Sequence, residues 1–317
     1  MANFIRRPDW FIPESQVTPE AVYHNRREFL TAMGFVGATA LVENALEAAT
    51  AKDNLALYPG KETAYKVAVK QTPEEWAIGY NNFYEFHTRK ELVSHPQIIG
   101  KFLTEPWRLR IDGMVEKPWV GDAQDLIAQM GKKGVIEQRV YRFRCVEAWS
   151  MICPWTGFSL SKVLELVEPK KSAKFVRFET FFDPRMAPGF QALRGYPWPY
   201  TEGLRIDEAA HELAFVATGM YGKPLPRQNG APLRMVVPWK YGYKSIKSIV
   251  RIEFTDKQPK TLWESLAPDE YPFESNVNPA VPHPRWSQAT ERRLGTDERV
   301  ATIKYNGYSA QVAALYK

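Results

Sequence analysis

The chain has 317 residues, of which 44% are hydrophobic and 25% are charged, so it can bury a sizeable core in one large domain or two modest ones and is not disordered by composition. Its formal charge of +6 at pH 7 fits an anionic ligand or an acidic lipid, but without a dense block of Lys and Arg it disfavours nucleic acid. Two cysteines and five scattered histidines exclude a disulfide framework and disfavour a zinc site.

The first part of the chain has the layout of an export signal. Arg26 and Arg27 stand just before a mildly apolar run, residues 29–42, and a small-residue sequence, Ala-Thr-Ala, follows at residues 49–51. As a helix, the run is too short to cross the roughly 30 Å hydrocarbon core of a bilayer. We therefore predict a cleaved twin-arginine signal peptide over residues 1–51. The alternative is an ordinary amphipathic helix with a chance arginine pair.

The predicted export signal also has a consequence for the mature chain. Twin-arginine export moves folded proteins, and a protein needs it chiefly when a cofactor must be inserted in the cytoplasm. We expect a periplasmic protein whose mature part, residues 52–317, is a single domain with a bound cofactor.

The predicted elements of the mature chain are short. Alternating apolar residues and turn signals predict strands over 107–115, 135–146, 174–182, 213–218, 235–238, 249–254 and 301–305. Helices are predicted over 123–130, 160–167 and 204–210, and at the carboxyl terminus. Asp122 and Ser159 are candidate caps of the first two helices. Thr156-Gly157 is predicted as a turn and residues 183–203 as a long ordered loop. Together these elements indicate an α+β domain with mixed β-sheets, short helices and long ordered loops.

Both cysteines lie in one stretch, residues 139–158, where aromatic and cationic side chains are dense. Cys145 lies near the end of the strand predicted over 135–146 and shares one face of it with Tyr141 and Phe143. A soft thiolate among cations and aromatic rings suits a metal or redox centre. A buried thiol in a Trp-rich core is the alternative.

Two other stretches carry side chains that suit a ligand pocket. Residues 80–86, Tyr-Asn-Asn-Phe-Tyr-Glu-Phe, can hydrogen-bond heteroatoms at a pocket wall or can form a turn with aromatic anchors. Arg234, Lys240, Lys244 and Lys247 are interspersed with Gly and Ser, and cations beside exposed backbone amides make an anion nest. A phosphate-bearing cofactor is the natural ligand of such a nest, and a solvated basic edge strand is the alternative.

Together these stretches resemble the molybdopterin oxidoreductases of the sulfite oxidase fold, and among them the periplasmic protein-methionine-sulfoxide reductase family. The resemblance rests on the motifs YNNFYEF (80–86), RCVEAWSM (144–151), FET (178–180), QNGAP (228–232), VPWKYG (237–242) and PRWSQATE (284–291). It implies a sulfite oxidase-type fold that binds one Mo-molybdopterin, with Cys145 as the thiolate ligand of the molybdenum. It also implies that the pterin and its phosphate are cradled by Asn81, Tyr84, Glu85, Thr180, Asn229, Arg234, Ser245, Ile246 and Lys247.

The family's reaction, reduction of methionine sulfoxide, free or in proteins, to methionine, suggests roles for further residues. Glu147 could sit beside the metal as a proton relay, or it could be an ion-paired surface residue. Trp149 and Trp155 could form a wall for the substrate side chain or pack in the core. The resemblance implies an aliphatic residue at position 153, so we expect Cys153 to act as a small hydrophobe. A disulfide between it and Cys145 would compete with metal binding.

The resemblance also implies partners. Since the sequence shows no haem-binding segment or flavin motif, electrons are expected from a membrane haem b subunit linked to the quinol pool, with oxidised periplasmic proteins as substrates. The catalytic subunit is expected to be a monomer, because the chain leaves no room for the dimerisation domain of sulfite oxidases. Two alternatives stay open. One is a sulfite dehydrogenase or another S- or N-oxide reductase of the same fold, and the other is an exported, non-catalytic anion-binding protein.

Overall fold

A computed structural model describes residues 60–63, 65–296 and 298–317 of the chain. The predicted signal peptide, residues 1–51, therefore lies outside the described residues. Within the described ranges, no helix combines the length and the apolar character needed to cross a bilayer.

Short strands carry most of the regular structure in the described part. The strands are β1 (Lys61–Glu62), β2 (Arg108–Gly113), β3 (Trp119–Asp122), β4 (Glu137–Arg144), β5 (Trp149–Ser159), β6 (Phe175–Thr180), β7 (Thr201–Arg205), β8 (Phe215–Met220), β9 (Lys223–Pro224), β10 (Arg234–Val236), β11 (Ile249–Thr255), β12 (Thr290–Arg293) and β13 (Arg299–Ala301). The helices are α1 (Glu74–Gly79), α2 (Pro96–Ile99), α3 (Ala123–Lys132), α4 (Ser161–Val167), α5 (Gly189–Ala192), α6 (Ile206–Ala210), α7 (Leu262–Leu266) and α8 (Ser309–Val312). The predicted α+β class, with mixed sheets and short helices, is confirmed.

The larger sheet carries the hairpin that contains Cys145. Over the described residues it has eight strands, with the main order β1-β4-β5-β12-β13; β8 also pairs with β5 and carries β9 and β10. Strands β4 and β5 are antiparallel, with Arg144 opposite Ser150, whereas β12 joins the start of β5 in parallel. The hairpin turn, residues 145–148, is therefore flanked by the segment that enters β12.

A second sheet supports another wall of the same unit. Its order in the described part is β3-β2-β11-β6-β7, with β2 parallel to β11 and β6 antiparallel to it. The register sets Thr180, at the end of β6, opposite Ile249 at the start of β11. Thr180 Oγ1 consequently donates hydrogen bonds to the carbonyls of Lys247 and Ser248, at 2.7 and 3.0 Å. The sheet thus fixes the turn that precedes β11.

Three local predictions are wrong. The strand predicted over 301–305 is one, because β13 ends at Ala301 and Lys304–Gly307 forms a 3-10 helix. In the other two, strand pairing overrides a local turn signal and a local helix signal. Thr156 and Gly157 lie inside β5, which pairs with β4 along one edge and with β8 along the other. Glycine is required there, since any side chain at Gly157 would collide with the carbonyl of Val216. Residues 204–205 end β7, which pairs with β6, so the predicted helix begins only at Ile206.

The two predicted helix caps have different outcomes. Asp122 caps α3 as predicted, because its carboxylate accepts a hydrogen bond from the Gln124 N–H at 2.9 Å. Ser159 is not the N-cap of α4. Leu160 takes that position without a side-chain cap, although Ser159 Oγ accepts from the Ser161 N–H at 3.4 Å.

Candidate active site

A deep cavity lies where residues 80–85, the β4–β5 hairpin turn and residues 242–247 meet. Its empty volume is about 870 Å³, part of which is open to solvent. Most of its wall is aromatic or apolar, formed by Tyr80, Phe83, Tyr84, Phe143, Val146, Trp149, Met151, Tyr200, Tyr243, Ile246, Trp263 and Tyr271. A small set of polar groups reaches the same cavity. This combination is typical of a cofactor site.

Cys145 lies at the tip of the β4–β5 hairpin, with its side chain buried at the cavity wall. The turn is closed by a hydrogen bond from the Cys145 N–H to the Trp149 carbonyl at 2.9 Å, with Ala148 in the left-handed region at φ 60°. Asn82 Nδ2 and the Glu147 N–H point at the sulfur from 3.4 and 3.5 Å. Burial, and then the charge of Glu147, raises the pKa of Cys145 to about 12. A thiolate at this position therefore needs a strong cation, such as a metal ion, beside it.

Glu147 is held as an anion next to Cys145. Its Oε2 pairs with Lys90 Nζ at 2.9 Å and accepts hydrogen bonds from Asn82 Nδ2 at 3.0 Å and Trp149 Nε1 at 3.2 Å. Burial alone would raise the pKa of Glu147, but the hydrogen bond from Asn82 and the charge of Lys90 bring it below its usual value. Glu147 is therefore both a neighbour of Cys145 and an ion-paired glutamate, so its surroundings agree with each of the two predicted descriptions.

Arg234 and Lys247 are the cations that line the cavity. Arg234 donates to three carbonyls, those of Met235, Asn229 and Ser245, at 2.9–3.1 Å. Lys247 Nζ donates to the Asn82 carbonyl at 2.7 Å. Burial lowers the pKa of Arg234 to about 9 and the pKa of Lys247 to about 7. Their hydrogen-bond acceptors are carbonyls, and the charge of Glu85 offsets the burial of Lys247 only in part, so these cations would be stabilised by an anion in the cavity.

The predicted nest of four cations is wrong for two of them. Lys240 Nζ pairs with Glu208 at 2.6 Å and Lys244 Nζ pairs with Glu202 at 2.7 Å, and all four side chains are almost fully buried. Nothing in the sequence matches these lysines with glutamates more than thirty residues upstream. Each pair is neutralised inside the fold, so neither lysine is left to bind a ligand.

The other residues predicted to bind the cofactor fall into two groups: those that line the cavity and those that support its wall from behind. Asn81, Tyr84, Glu85, Ser245 and Ile246 line the cavity, and burial raises the pKa of Glu85 to about 7. Thr180 and Asn229 do not line it.

Thr180 and Asn229 instead support residues that do line the cavity. Thr180 bonds to the carbonyl of Lys247, as described above, and Asn229 Nδ2 donates to Asn81 Oδ1 at 3.1 Å and to the Ala77 carbonyl at 3.0 Å. The Asn229 carbonyl in turn accepts from Arg234 Nη1. The structure therefore brings the predicted set together, with these two behind the wall.

The residues that hold the Cys145 turn were missed by the sequence reasoning. Trp286 Nε1 and Gln288 Nε2 both donate to the Val146 carbonyl at 2.8 Å. The buried Arg144 donates to the Cys145 carbonyl and pairs with Glu291 at 2.8 Å. The motif at residues 284–291 contained the signal, but nothing in the sequence linked it to the cysteine.

Cys153 and the two tryptophans, Trp149 and Trp155, lie in different surroundings. Cys153 is fully buried in β5 opposite Tyr141, and both cysteines are free thiols. Trp149 lines the cavity, whereas Trp155 is buried in the core beside Arg234, whose guanidinium lies 5.3 Å from its ring centre. Trp149 is thus available as a wall, and Trp155 is a core residue.

The cavity fits an anionic cofactor with its own metal. The side-chain carbonyl oxygen of Asn82, which lines the cavity, is buried without a hydrogen-bond partner, and a ligand with N–H or O–H donors would supply one. Arg234 and Lys247 provide positive charge for a phosphate. Cys145 provides one soft ligand of the kind that molybdenum accepts beside sulfur donors.

Comparison with known proteins agrees with this chemistry. Residues 95–263 match the family model of the oxidoreductase molybdopterin-binding domain. The chain is 48% identical over 313 residues to a protein-methionine-sulfoxide reductase catalytic subunit MsrP of Xanthomonas campestris pv. campestris, covering 96% of this chain and 94% of the relative. It is also 48% identical over 314 residues to the protein of the same name from Xanthomonas axonopodis pv. citri, covering 96% and 95%.

Among solved structures, the sulfane dehydrogenase SoxCD from Paracoccus pantotrophus aligns with a TM-score of 0.40 and 20% identity, over 49% of this chain and 40% of that one. The family model and the curated relatives carry the assignment, and they confirm the molybdopterin-binding fold predicted from the motifs. The chain belongs to the oxidoreductases with a molybdopterin-binding domain and, within them, to the protein-methionine-sulfoxide reductase catalytic subunits.

Proposed function

We propose that this chain is a molybdenum-dependent reductase that converts methionine sulfoxide, free and within proteins, to methionine. The observation that carries the proposal is the buried Cys145 thiol at the wall of a cavity whose lining cations, Arg234 and Lys247, bond only to carbonyls. The names of the two Xanthomonas relatives, at 48% identity, support the same reaction.

In this proposal Cys145 is the protein ligand of molybdenum. Arg234, Ser245, Ile246 and Lys247 hold the phosphate, and the segment with Asn81, Tyr84 and Glu85 hydrogen-bonds the pterin, while Thr180 and Asn229 brace these residues from behind. The cofactor supplies the two electrons that, with two protons, convert the sulfoxide into a thioether and water.

The chain's own residues shape the space for the substrate. Tyr80 and Trp149 meet edge to face at 5.2 Å and provide an apolar wall for the thioether side chain. Glu147 was predicted as a proton relay, and this role stays a prediction. Its lowered pKa keeps the carboxylate ionised at neutral pH and makes it a weaker base than an efficient proton relay requires.

Electrons are proposed to come from a membrane haem b subunit that draws on the quinol pool. The support is that the relatives are named catalytic subunits, a name that implies a further subunit. We propose that the chain acts as a monomer on that partner, in the periplasm, after export by the twin-arginine signal of residues 1–51. Its macromolecular substrates would then be oxidised periplasmic proteins.

The decisive experiment is molybdenum analysis combined with a dye-coupled assay. Protein from a host that makes molybdopterin is expected to hold one molybdenum per chain and to oxidise a reduced dye when methionine sulfoxide is added. Dimethyl sulfoxide is compared in the same assay, and sulfite is tested with an oxidised dye as electron acceptor, because sulfite donates electrons. Faster turnover of sulfite would favour a sulfite dehydrogenase, and absence of molybdenum would favour a non-catalytic anion-binding protein.

A further inference from the structure

A wider vestibule opens outside the Cys145 cavity. Its empty volume is about 1130 Å³, partly open to solvent, and it shares Tyr84, Glu147, Trp149 and Trp263 with the wall of the inner cavity. The two spaces therefore adjoin at these residues. A methionine side chain that reaches the inner cavity would have the residues on either side of it in this vestibule.

The vestibule is lined by more cations than anions. Its charged lining residues are Lys90, Arg285, Arg292, Arg299 and a single carboxylate, Glu147. That carboxylate is already paired with Lys90 at 2.9 Å. Among the lining side chains the positive charges therefore exceed the negative ones, and Glu270, which pairs with Arg285, offsets one of them.

Two of these arginines remain accessible to a ligand. Arg285 pairs with Glu270 at 2.7 Å, yet 59% of its side chain is exposed. Arg299 is exposed, and its Nη1 donates to the neutral hydroxyl of Thr290 at 3.1 Å. Guanidinium groups keep donors free when one edge is used, and they bind carboxylates through two parallel hydrogen bonds.

An aromatic row runs through the same vestibule. Tyr84, Trp263 and Tyr271 contact one another with ring centres 5.1–5.2 Å apart. Trp286 stacks on His283 at 3.7 Å. Rings fixed by such contacts bind the backbone and the apolar parts of an extended chain at low entropic cost.

We propose that the vestibule binds an extended polypeptide segment in which acidic residues flank the methionine sulfoxide. The inference rests on the proposed function, since the inner cavity must receive the sulfoxide. It adds a sequence preference: carboxylates beside the target residue pair with Arg285 and Arg299 while the aromatic row holds the backbone. Charge complementarity at a rim acts mainly on encounter and selectivity, so the preference weakens as salt rises.

The test compares short synthetic peptides with methionine sulfoxide flanked by Asp, Ser or Lys, using the molybdenum-loaded enzyme and a reduced dye. We expect kcat/KM to be about five-fold to ten-fold higher for the Asp peptide than for the Lys peptide at low salt, and the ratio to fall toward one at high salt. Arg285→Glu and Arg299→Glu should each reduce this ratio, and together they should invert it. Lys171→Gln removes an exposed cation outside the vestibule and should leave the ratio as it was.

An inverted preference cannot come from misfolding, because loss of folded enzyme lowers the rates on all three peptides by the same factor and leaves their ratio unchanged. Equal rates on all three peptides in the unaltered enzyme would overturn the inference while leaving the proposed function intact. Failure to reduce free methionine sulfoxide would instead remove the proposed function. If the two arginine variants keep the Asp preference but accept electrons more slowly from the membrane partner, the rim is a docking surface for that partner and the inference is wrong.

Discussion

Gln288 donates a hydrogen bond from Nε2 to the carbonyl of Val146 at 2.8 Å, across 142 positions of sequence. Its Oε1 accepts from Arg144 Nη2, also at 2.8 Å. One buried amide thus ties the residues on both sides of Cys145 to the segment that enters β12. The position of the thiol is consequently set by a tertiary contact and not by the hairpin alone.

Replacing Gln288 by Leu should loosen this turn. Because Gln288 is 2% exposed, water cannot easily replace its hydrogen bonds, and the loss should lower the free energy of unfolding by about 1–3 kcal/mol. We also expect less molybdenum per chain and a lower kcat, measured by metal analysis and dye oxidation. Gln191→Leu changes an exposed glutamine and serves as the control. A Gln288→Leu enzyme with full metal content and unchanged stability would contradict the role of the amide.

The two cysteines should respond differently to replacement. Cys145→Ala should abolish sulfoxide reduction while the protein stays folded, since the thiol lies in a turn at a cavity wall. Cys153→Ala should keep most of the activity and lose about 1–2 kcal/mol of stability, because it leaves a small void inside β5. Activity and urea unfolding are measured on both. Sulfoxide reduction by the Cys145→Ala enzyme would exclude the cysteine as an essential ligand.

Without cofactor, Glu85 and Lys247 together should lower the stability of the protein most near pH 7. Burial raises the pKa of Glu85 from 4.5 to about 7, so its contribution is present at low pH and is lost as pH rises through that range. Burial lowers the pKa of Lys247 from 10.5 to about 7, so its contribution is present at high pH and is lost as pH falls toward 7. Urea unfolding at pH 5, 7 and 9 measures the effect.

Two variants test which group causes each part of the dependence of stability on pH. Glu85→Gln should remove the decline between pH 5 and 7, and Lys247→Met should remove the rise between pH 7 and 9. In the loaded enzyme, a phosphate beside Lys247 would keep the ammonium charged and flatten the upper limb. A monotonic curve for the cofactor-free protein, unchanged in both variants, would show that these groups do not titrate as described.

The buried pair of Lys244 and Glu202 offers a stability test remote from the chemistry. Lys244→Met should cost about 3–5 kcal/mol, because it leaves Glu202 buried without its counter-ion at 2.7 Å. The double variant Lys244→Met/Glu202→Leu should recover most of this loss. Lys66→Met, in an exposed pair with Glu62, should change stability by about 0.5 kcal/mol or less. A double variant no more stable than Lys244→Met would contradict the pairing argument.

Export should depend on the arginine pair. Replacing Arg26 and Arg27 by Lys is expected to trap the precursor in the cytoplasm, because the twin-arginine pathway reads that pair. Cell fractionation with an antibody to the mature chain measures the distribution. Normal export of the variant would exclude the twin-arginine assignment.

The sequence by itself determined the chemistry-bearing residues and the fold class. The cation-rich and aromatic neighbours of Cys145 identified it as a candidate ligand, and the stretches at residues 80–86 and 228–247 contain most of the residues that line the cavity. Local patterns of this kind survive in the linear chain, because alternation, caps and motif spacing depend on neighbours in sequence.

Tertiary structure alone decided which charges are available. Lys240 and Lys244 were predicted to belong to the anion nest, but Glu208 and Glu202 neutralise them in the folded protein. Thr156-Gly157 was predicted as a turn, but these residues lie in β5, which pairs with β8. Only the fold brought Gln288 and Arg144 onto the Cys145 turn. Ion pairing and strand pairing depend on distance in space, which residue spacing along the chain does not encode, so these relationships were invisible before the chain was folded.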